Sequence, residues 1–273
     1  MNQHLPASIT EAQIDTYERD GAVRVPAVLD REWIGFLASA LDAARTRPGP
    51  NAQDHTVDGE PGGYLSDLHM TKRVPDFLTF ARDSPVGELA SVLMPSERVN
   101  LLHDAMWIKE PGTSRRTPWH HDQPFYCMKG SKMCVVWIPL DDHSHEISLG
   151  LLRGSHRWGH RYRPERINGG WYEGYGEDDG FVSPPDVANH PEQYDILSWD
   201  MHVGDCIVFH GLTLHGAPGN PTQHVRRAIS LVLVGDDAVY VEREQETQPS
   251  YAGNGLKPGD PIDNDYFPRL YPS

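Results

Sequence analysis

Three cysteines are few for 273 residues, and Cys127, Cys134 and Cys206 stand far apart, without the close pairs of a metal knuckle. A disulfide framework is excluded, and reduced thiols in a cytoplasmic protein are the expectation. No apolar run approaches the 18 residues of a membrane span. The first ten residues lack the basic start and apolar stretch of a secretion signal. Positive charge is also scarce: Lys and Arg number 24 against 39 Asp and Glu, a formal charge of −15. Nucleic acid and anionic membrane surfaces are therefore not expected partners; a small-molecule substrate is.

What the chain has in quantity is turn-formers. Its 25 Gly and 23 Pro favour short strands over a helical bundle. The first third reads as helical. Thr10 to Gln13 fits a capping box, Asp30 caps a second helix with Ile34, Leu37 and Leu41 on one face, and Ser84-Pro85 opens a third. Arg47 to Gly63 reads as loop. After Pro95 come apolar strands at Val99–Ile108, Thr117–Asp122, Lys132–Leu140, Ile147–Leu152, Asp205–Phe209 and Ala228–Val234. Arg157 to Asp200 shows no period and is expected to be a lid, and the tail from Gln245 onward irregular chain. The fold class expected is mainly β with flanking α-helices, a double-stranded β-helix (jelly-roll) barrel. A single domain fills 1–273, with support helices over 10–95, a core over 99–240 and the lid over 157–200.

The candidate chemistry starts at Trp119-His120-His121-Asp122-Gln123. On an extended segment, His120 and Asp122 leave the same face, whereas His121 points the other way. Downstream, His210 and His215 are both candidates for a third donor, and each is equally well read alone as a structural histidine. Two histidines and one carboxylate, with other positions open, is the arrangement of non-haem Fe(II) oxygenases. The arginine pair Arg226-Arg227 follows shortly after. Arg227 reads as salt-bridged, because adjacent strand residues face opposite ways.

Six stretches occur in one order: Thr117-Pro118-Trp119-His120-His121-Asp122-Gln123, Val136-Trp137-Ile138-Pro139-Leu140-Asp141-Asp142, Arg153-Gly154-Ser155-His156, Gly204-Asp205-Cys206-Ile207-Val208-Phe209-His210, His215-Gly216-Ala217-Pro218-Gly219-Asn220 and Arg226-Arg227-Ala228. This order resembles the phytanoyl-CoA dioxygenase family of Fe(II)/2-oxoglutarate oxygenases, which includes ectoine hydroxylase. The resemblance spans Val99 to Val234. It implies that His120, Asp122 and His215 hold Fe(II), that Arg226 pairs with the far carboxylate of 2-oxoglutarate, and that Trp137, Met106 and Gln123 line the co-substrate pocket. It implies dioxygen as oxidant and hydroxylation as the reaction. The family often carries a hydroxyl two residues after the distal histidine; here that residue is Ala217.

For the substrate, five arginines between Arg153 and Arg166 and the aromatic-acidic run after them suggest a small anionic or zwitterionic metabolite. Lys109, Arg157, Trp171 and Tyr175 are the candidate contacts. The alternatives are a hydroxylase of a natural product or an acyl-CoA, a non-catalytic jelly-roll metal binder, and a cupin-like hydrolase or isomerase on another metal.

Overall fold

The structure, a computed structural model, describes residues 1–272. Among the described residues, four α-helices all lie before Pro95, interleaved with three short strands. α1 (Glu11–Asp20) carries the complete Thr10–Gln13 capping box and ends at Gly21, whose φ of 79° is the left-handed cap geometry glycine tolerates. α2 (Arg31–Arg45) begins where the Asp30 side chain accepts the Trp33 N–H. α3 (Pro75–Asp83) was not legible in the sequence, and α4 (Val86–Leu93) follows Ser84-Pro85 as expected.

Fourteen strands follow the order β1 (Ala22–Val25), β2 (Gln53–Asp54), β3 (Tyr64–Leu68), β4 (Val99–Lys109), β5 (Thr117–His120), β6 (Met128–Lys129), β7 (Met133–Pro139), β8 (Gly150–Leu152), β9 (Ile196–Leu197), β10 (Cys206–His210), β11 (His215–Ala217), β12 (Arg226–Val234), β13 (Val239–Tyr240) and β14 (Arg269–Tyr271). They form a large antiparallel sheet in the order β1-β10-β7-β12-β4-β3-β2, with β14 also on β4, a small sheet in the order β5-β11-β8-β9, and a separate pair of β13 with β6. The two sheets face each other as a jelly roll. The tail expected to be wholly irregular thus supplies one edge strand, β14.

Period-2 alternation divides the large sheet between two cores. On β12, Ile229, Leu231 and Leu233 pack against the helices, while Ala228, Val232 and Val234 face the small sheet. β7 repeats this with Cys134, Val136 and Ile138 on one side and Val135 and Trp137 on the other. The helices cover the first face, so the second is left to line a cavity between the sheets. All three cysteines are free and buried. No helix among the described residues is long and apolar enough to cross a membrane.

Residues 157–200 hold single 3-10 turns and β9, and otherwise run irregularly over the mouth of the barrel. They are tied to the rest by polar contacts: Tyr162 N donates to His121 Nε2 (2.9 Å), Tyr172 Oη to Gln248 Oε1 (2.7 Å), Tyr175 Oη to the Glu246 carbonyl (2.8 Å), and Arg166 pairs with Glu246.

Leu231 sits fully buried at the centre of the helix-facing core. Leu231→Ala is expected to cost about 2–5 kcal/mol of unfolding free energy in urea, the range for a leucine deleted from a rigid core. A loss below about 1 kcal/mol would mean that this face is loosely packed.

Candidate metal centre

Within the cavity, β5 and β11 pair so that His120 and His215 lie directly opposite each other, their ring centroids 4.2 Å apart. Each ring is locked in the same way. His120 Nδ1 contacts the Pro118 carbonyl at 2.7 Å and His215 Nδ1 the Thr213 carbonyl at 3.0 Å, in both cases two residues back along the chain. A carbonyl only accepts, so each Nδ1 carries the proton and each Nε2 presents a lone pair. Asp122 Oδ1 stands 3.5 Å from His120 Nε2 and 3.9 Å from His215 Nε2. One donor atom from each of the three lies within 4.8 Å of the others, a separation one ion bridges.

The face rule explains only part of this convergence. β5 ends at His120, and Asp122 sits in the following turn at φ −89° and ψ −48°. That turn is pinned by Asp122 N and Gln123 N, which both donate to the Gly211 carbonyl (3.0 and 2.9 Å), one strand-turn away from His215. His121 leaves the opposite way, 3 % exposed, and accepts the Tyr162 N–H. His210 ends β10 away from the site, its Nδ1 accepting the Leu212 N–H at 3.0 Å.

Burial shapes the electrostatics. It holds His215 well below the usual histidine range, with the neighbouring His120 adding to the effect, so the ring stays neutral and able to ligate. It raises Asp122, against which His120 and the Tyr126 hydroxyl (3.4 Å) pull downward. A divalent ion between the three donors would relieve both penalties. The donor set fits iron on that chemistry.

Across the cavity, Arg226 is 4 % exposed. One N–H donates to the Ile147 carbonyl, and its Nε has no partner. Lys109, wholly buried, is its cross-strand neighbour. Burial lowers both, Arg226 to about 10 and Lys109 further below its ordinary value, and among the described residues neither cation makes an ion pair with a carboxylate. Two buried cations without a counter-charge are costly, and an anion is what would compensate them. A dicarboxylate that reaches from the His-Asp-His cluster to Arg226 suits this arrangement.

The other residues singled out from sequence divide. Trp137 lines the cavity. Met106 does not: it packs in the helix-facing core, and its neighbour Trp107 lines the cavity and donates from Nε1 to Ser230 Oγ (3.0 Å). Gln123 Nε2 donates to the Gly130 carbonyl, outside the cavity wall. Lys109 Nζ donates to the Pro218 carbonyl (2.7 Å) and lies 4.5 Å from the Tyr64 ring centre, and it is not among the residues that line the cavity. Arg157 donates to the Arg19 carbonyl at the surface, Trp171 is 40 % exposed beneath Arg163, and Tyr175 is buried on Phe125 and Phe181. None of these three lines the cavity. The remaining arginines of that run are engaged too: Arg153 with Asp20 and Asp195, Arg161 on Phe181 and Arg166 on Tyr172.

Tyr172, one of the aromatics in the run after the arginines, does line the cavity, whereas sequence reasoning missed Tyr64, Ser66, His103, Thr117, Phe125 and Gln248, which line it too. Only Thr117 carried a signal, through its place in the first motif.

A family model described as phytanoyl-CoA dioxygenase (PhyH) matches residues 17–228. A probable phytanoyl-CoA dioxygenase of Caenorhabditis elegans is 27 % identical over 213 residues, which is 74 % of this chain. The chain spans 64 % of the length of that curated relative. Among solved structures, the non-heme alpha ketoglutarate dependent carbocyclase SnoK from nogalamycin biosynthesis is similar at a TM-score of 0.75, 18 % identity and 96 % coverage of both chains. EctD from S. alaskensis with 2-oxoglutarate and 5-hydroxyectoine is similar at a TM-score of 0.64 and 18 % identity, over 87 % of this chain and 82 % of that one. These likenesses establish a shared fold.

His69, His103 and His121 are buried, and burial lowers them to about 4, 3 and 3. The unfolded chain therefore takes up these protons first, as pH falls below about 6.5, and the stability due to neutral burial is full above that value and lost below it. Asp104, raised by burial to about 6, works in the opposite sense and offsets part of one histidine. Urea unfolding of the metal-free protein is expected to give a free energy at least about 2 kcal/mol lower at pH 5.5 than at pH 7.5, since each such histidine contributes up to about 1.4 kcal/mol per pH unit. A flat profile between those two values would contradict the burial.

Proposed function

The chain belongs to the phytanoyl-CoA dioxygenase family of Fe(II)- and 2-oxoglutarate-dependent oxygenases, and on that premise we propose that it hydroxylates a small, ring-bearing substrate without a strong anionic group, of the kind found among natural products. In this reading His120, Asp122 and His215 hold Fe(II), and Arg226 holds the far carboxylate of 2-oxoglutarate. Iron with 2-oxoglutarate and dioxygen supplies the oxidising chemistry.

The protein's own part is position and exclusion. The carbonyls of Pro118 and Thr213 orient the two imidazoles. The Tyr126 hydroxyl steadies Asp122. Trp137 and Phe209 wall the co-substrate space with apolar surface. Residues 157–200 bring Pro164, Ile167 and Tyr172 over the cavity, which keeps water from a reactive centre.

The observation that carries the substrate class is the lining. Arg226 is the only lysine or arginine among the described lining residues, so an anionic substrate would find no second cation there. Aromatic and apolar faces dominate, from Leu68, Trp107, Phe125 and Tyr172, with the neutral hydrogen-bonding groups of Gln53, Ser66 and Gln248 among them. Glu165 is the one lining carboxylate besides Asp122, so a positive amine is the charge this cavity suits. The anionic metabolite suggested by the arginine run loses its support, because those arginines are engaged elsewhere.

Two measurements test this. With iron and 2-oxoglutarate present, succinate release is expected to be stimulated by neutral or amine-bearing polycyclic and glycosylated compounds, with a product that gains one oxygen atom. Stimulation only by betaines, amino-acid derivatives or acyl-CoAs would overturn the substrate class, and a product of unchanged mass would replace hydroxylation by isomerisation. Next, His120→Ala, Asp122→Ala and His215→Ala are each expected to lose Fe(II) binding by more than about a hundredfold in equilibrium dialysis, since an incomplete donor set is weak. His121→Ala should retain binding, with faster amide exchange around Tyr162, whose N–H it anchors. Retained binding in His215→Ala and loss in His121→Ala would reverse the assignment.

A further inference from the structure

Ala217 leaves the far carboxylate of 2-oxoglutarate one hydroxyl short of the family pattern, and the sheet register shows where a replacement stands. Ala217 pairs with Thr117 across β11 and β5. Directly opposed residues on adjacent strands project to the same side, with their Cβ atoms about 4.5–5.5 Å apart. A hydroxyl at 117 therefore reaches much of the space that one at 217 would fill. Thr117, Ala217 and Arg226 all line the cavity.

The opposite sheet completes the arrangement. Tyr64 on β3 pairs with Lys109 on β4, and Lys109 pairs with Arg226 on β12, so the three form one row across adjacent strands. Tyr64 Oη and Thr117 Oγ1 share a hydrogen bond of 3.0 Å, which joins a side chain of that row to a side chain of the small sheet. The Tyr64 ring is 1 % exposed and held under the Lys109 ammonium, which in turn donates to the carbonyls of Ala217 (3.4 Å) and Pro218 (2.7 Å). Burial pushes the phenol up to about 12, so it stays protonated. Two hydroxyls carry two hydrogens. One is used between them, which leaves one donor beside the unpartnered Arg226 Nε.

We propose that the Thr117–Tyr64 hydroxyl pair makes the second contact to the far carboxylate of 2-oxoglutarate, in place of the hydroxyl absent at Ala217. The assignment rests on the reading in which Arg226 holds that carboxylate. Thr117 is the contacting residue, and Tyr64 positions it.

The test compares two 2-oxo acids on anaerobic Fe(II)-loaded protein, followed by the visible charge-transfer absorption of the bound 2-oxo acid. 2-Oxoglutarate has the far carboxylate; 2-oxobutanoate shares its metal-binding end and lacks it. Thr117→Val is expected to weaken 2-oxoglutarate about tenfold, the scale of one hydrogen bond to a charged group, and to move 2-oxobutanoate less than about twofold. Thr117→Ser should bind as the native protein does, and Ala217→Ser added to Thr117→Val should recover most of the loss. Tyr64→Phe, which keeps the ring under Lys109, should weaken 2-oxoglutarate alone by about threefold, and it serves where Thr117→Val does not fold. Unchanged 2-oxoglutarate affinity in both variants, or equal weakening of both acids, overturns the assignment. A native protein that binds 2-oxobutanoate as tightly as 2-oxoglutarate overturns the Arg226 reading itself.

Discussion

Everything at the site depends on two imidazoles fixed by carbonyls of their own strand segments. Each histidine is held through Nδ1 by the residue two places before it, so the strand that delivers the ring also sets its tautomer. The pairing of β5 with β11 then puts the two Nε2 lone pairs side by side. Asp122 completes the set only because its turn is clamped to Gly211 by two backbone hydrogen bonds. A shift of one residue in that pairing would send one imidazole to the other face and dissolve the cluster. The short strand β11, three residues long, thus carries more of the chemistry than any of the long strands.

The large sheet makes this precision tolerable. Its helix-facing side is packed with Ile229, Leu231, Val136 and Val208, which gives the barrel a core independent of the cavity. The cavity-facing side is then free to hold groups that a core would reject, the buried Arg226 and Lys109, and the turn after β5 adds the buried Asp122. Their burial shifts all three toward the neutral form, and a ligand of opposite charge would relieve the shifts of Arg226 and Asp122, which line the cavity. The strain of desolvation is concentrated where binding can discharge it.

Much of this was legible in the chain. The longer strands β4, β7, β10 and β12 announced themselves because each has apolar residues on both faces, whereas β6, β9, β11, β13 and β14, of two or three residues each, are too short to show a period; the caps at Thr10 and Asp30 are local chemistry that needs no tertiary partner. β3 escaped notice because Tyr64 to Leu68 contains Ser66 and Asp67, polar residues that are buried only by contacts distant in sequence: Ser66 against His55, Asp67 against Arg73 and Gly49. Met106 was placed one residue out of step, since strand parity in β4 puts Trp107 toward the cavity. The arginine run misled for a related reason. Charge density along a chain says nothing about which side chains are engaged, and Arg157, Arg161 and Arg166 are occupied by a carbonyl, a ring and a glutamate.

Residues 157–200 and the Glu246–Gln248 stretch are fastened to each other through Arg166, Tyr172 and Tyr175. The half of the cavity that holds the His-Asp-His cluster and Arg226 is therefore built around strands, and part of its cover comes from two loops distant in sequence that share a seam. Mutational drift in the irregular parts of those loops, outside β9, leaves the barrel's hydrogen-bonded ladders untouched. Such a chain can change its diet without relearning how to fold, but the two loops must drift together, because a substitution on one side of the seam is felt at once on the other.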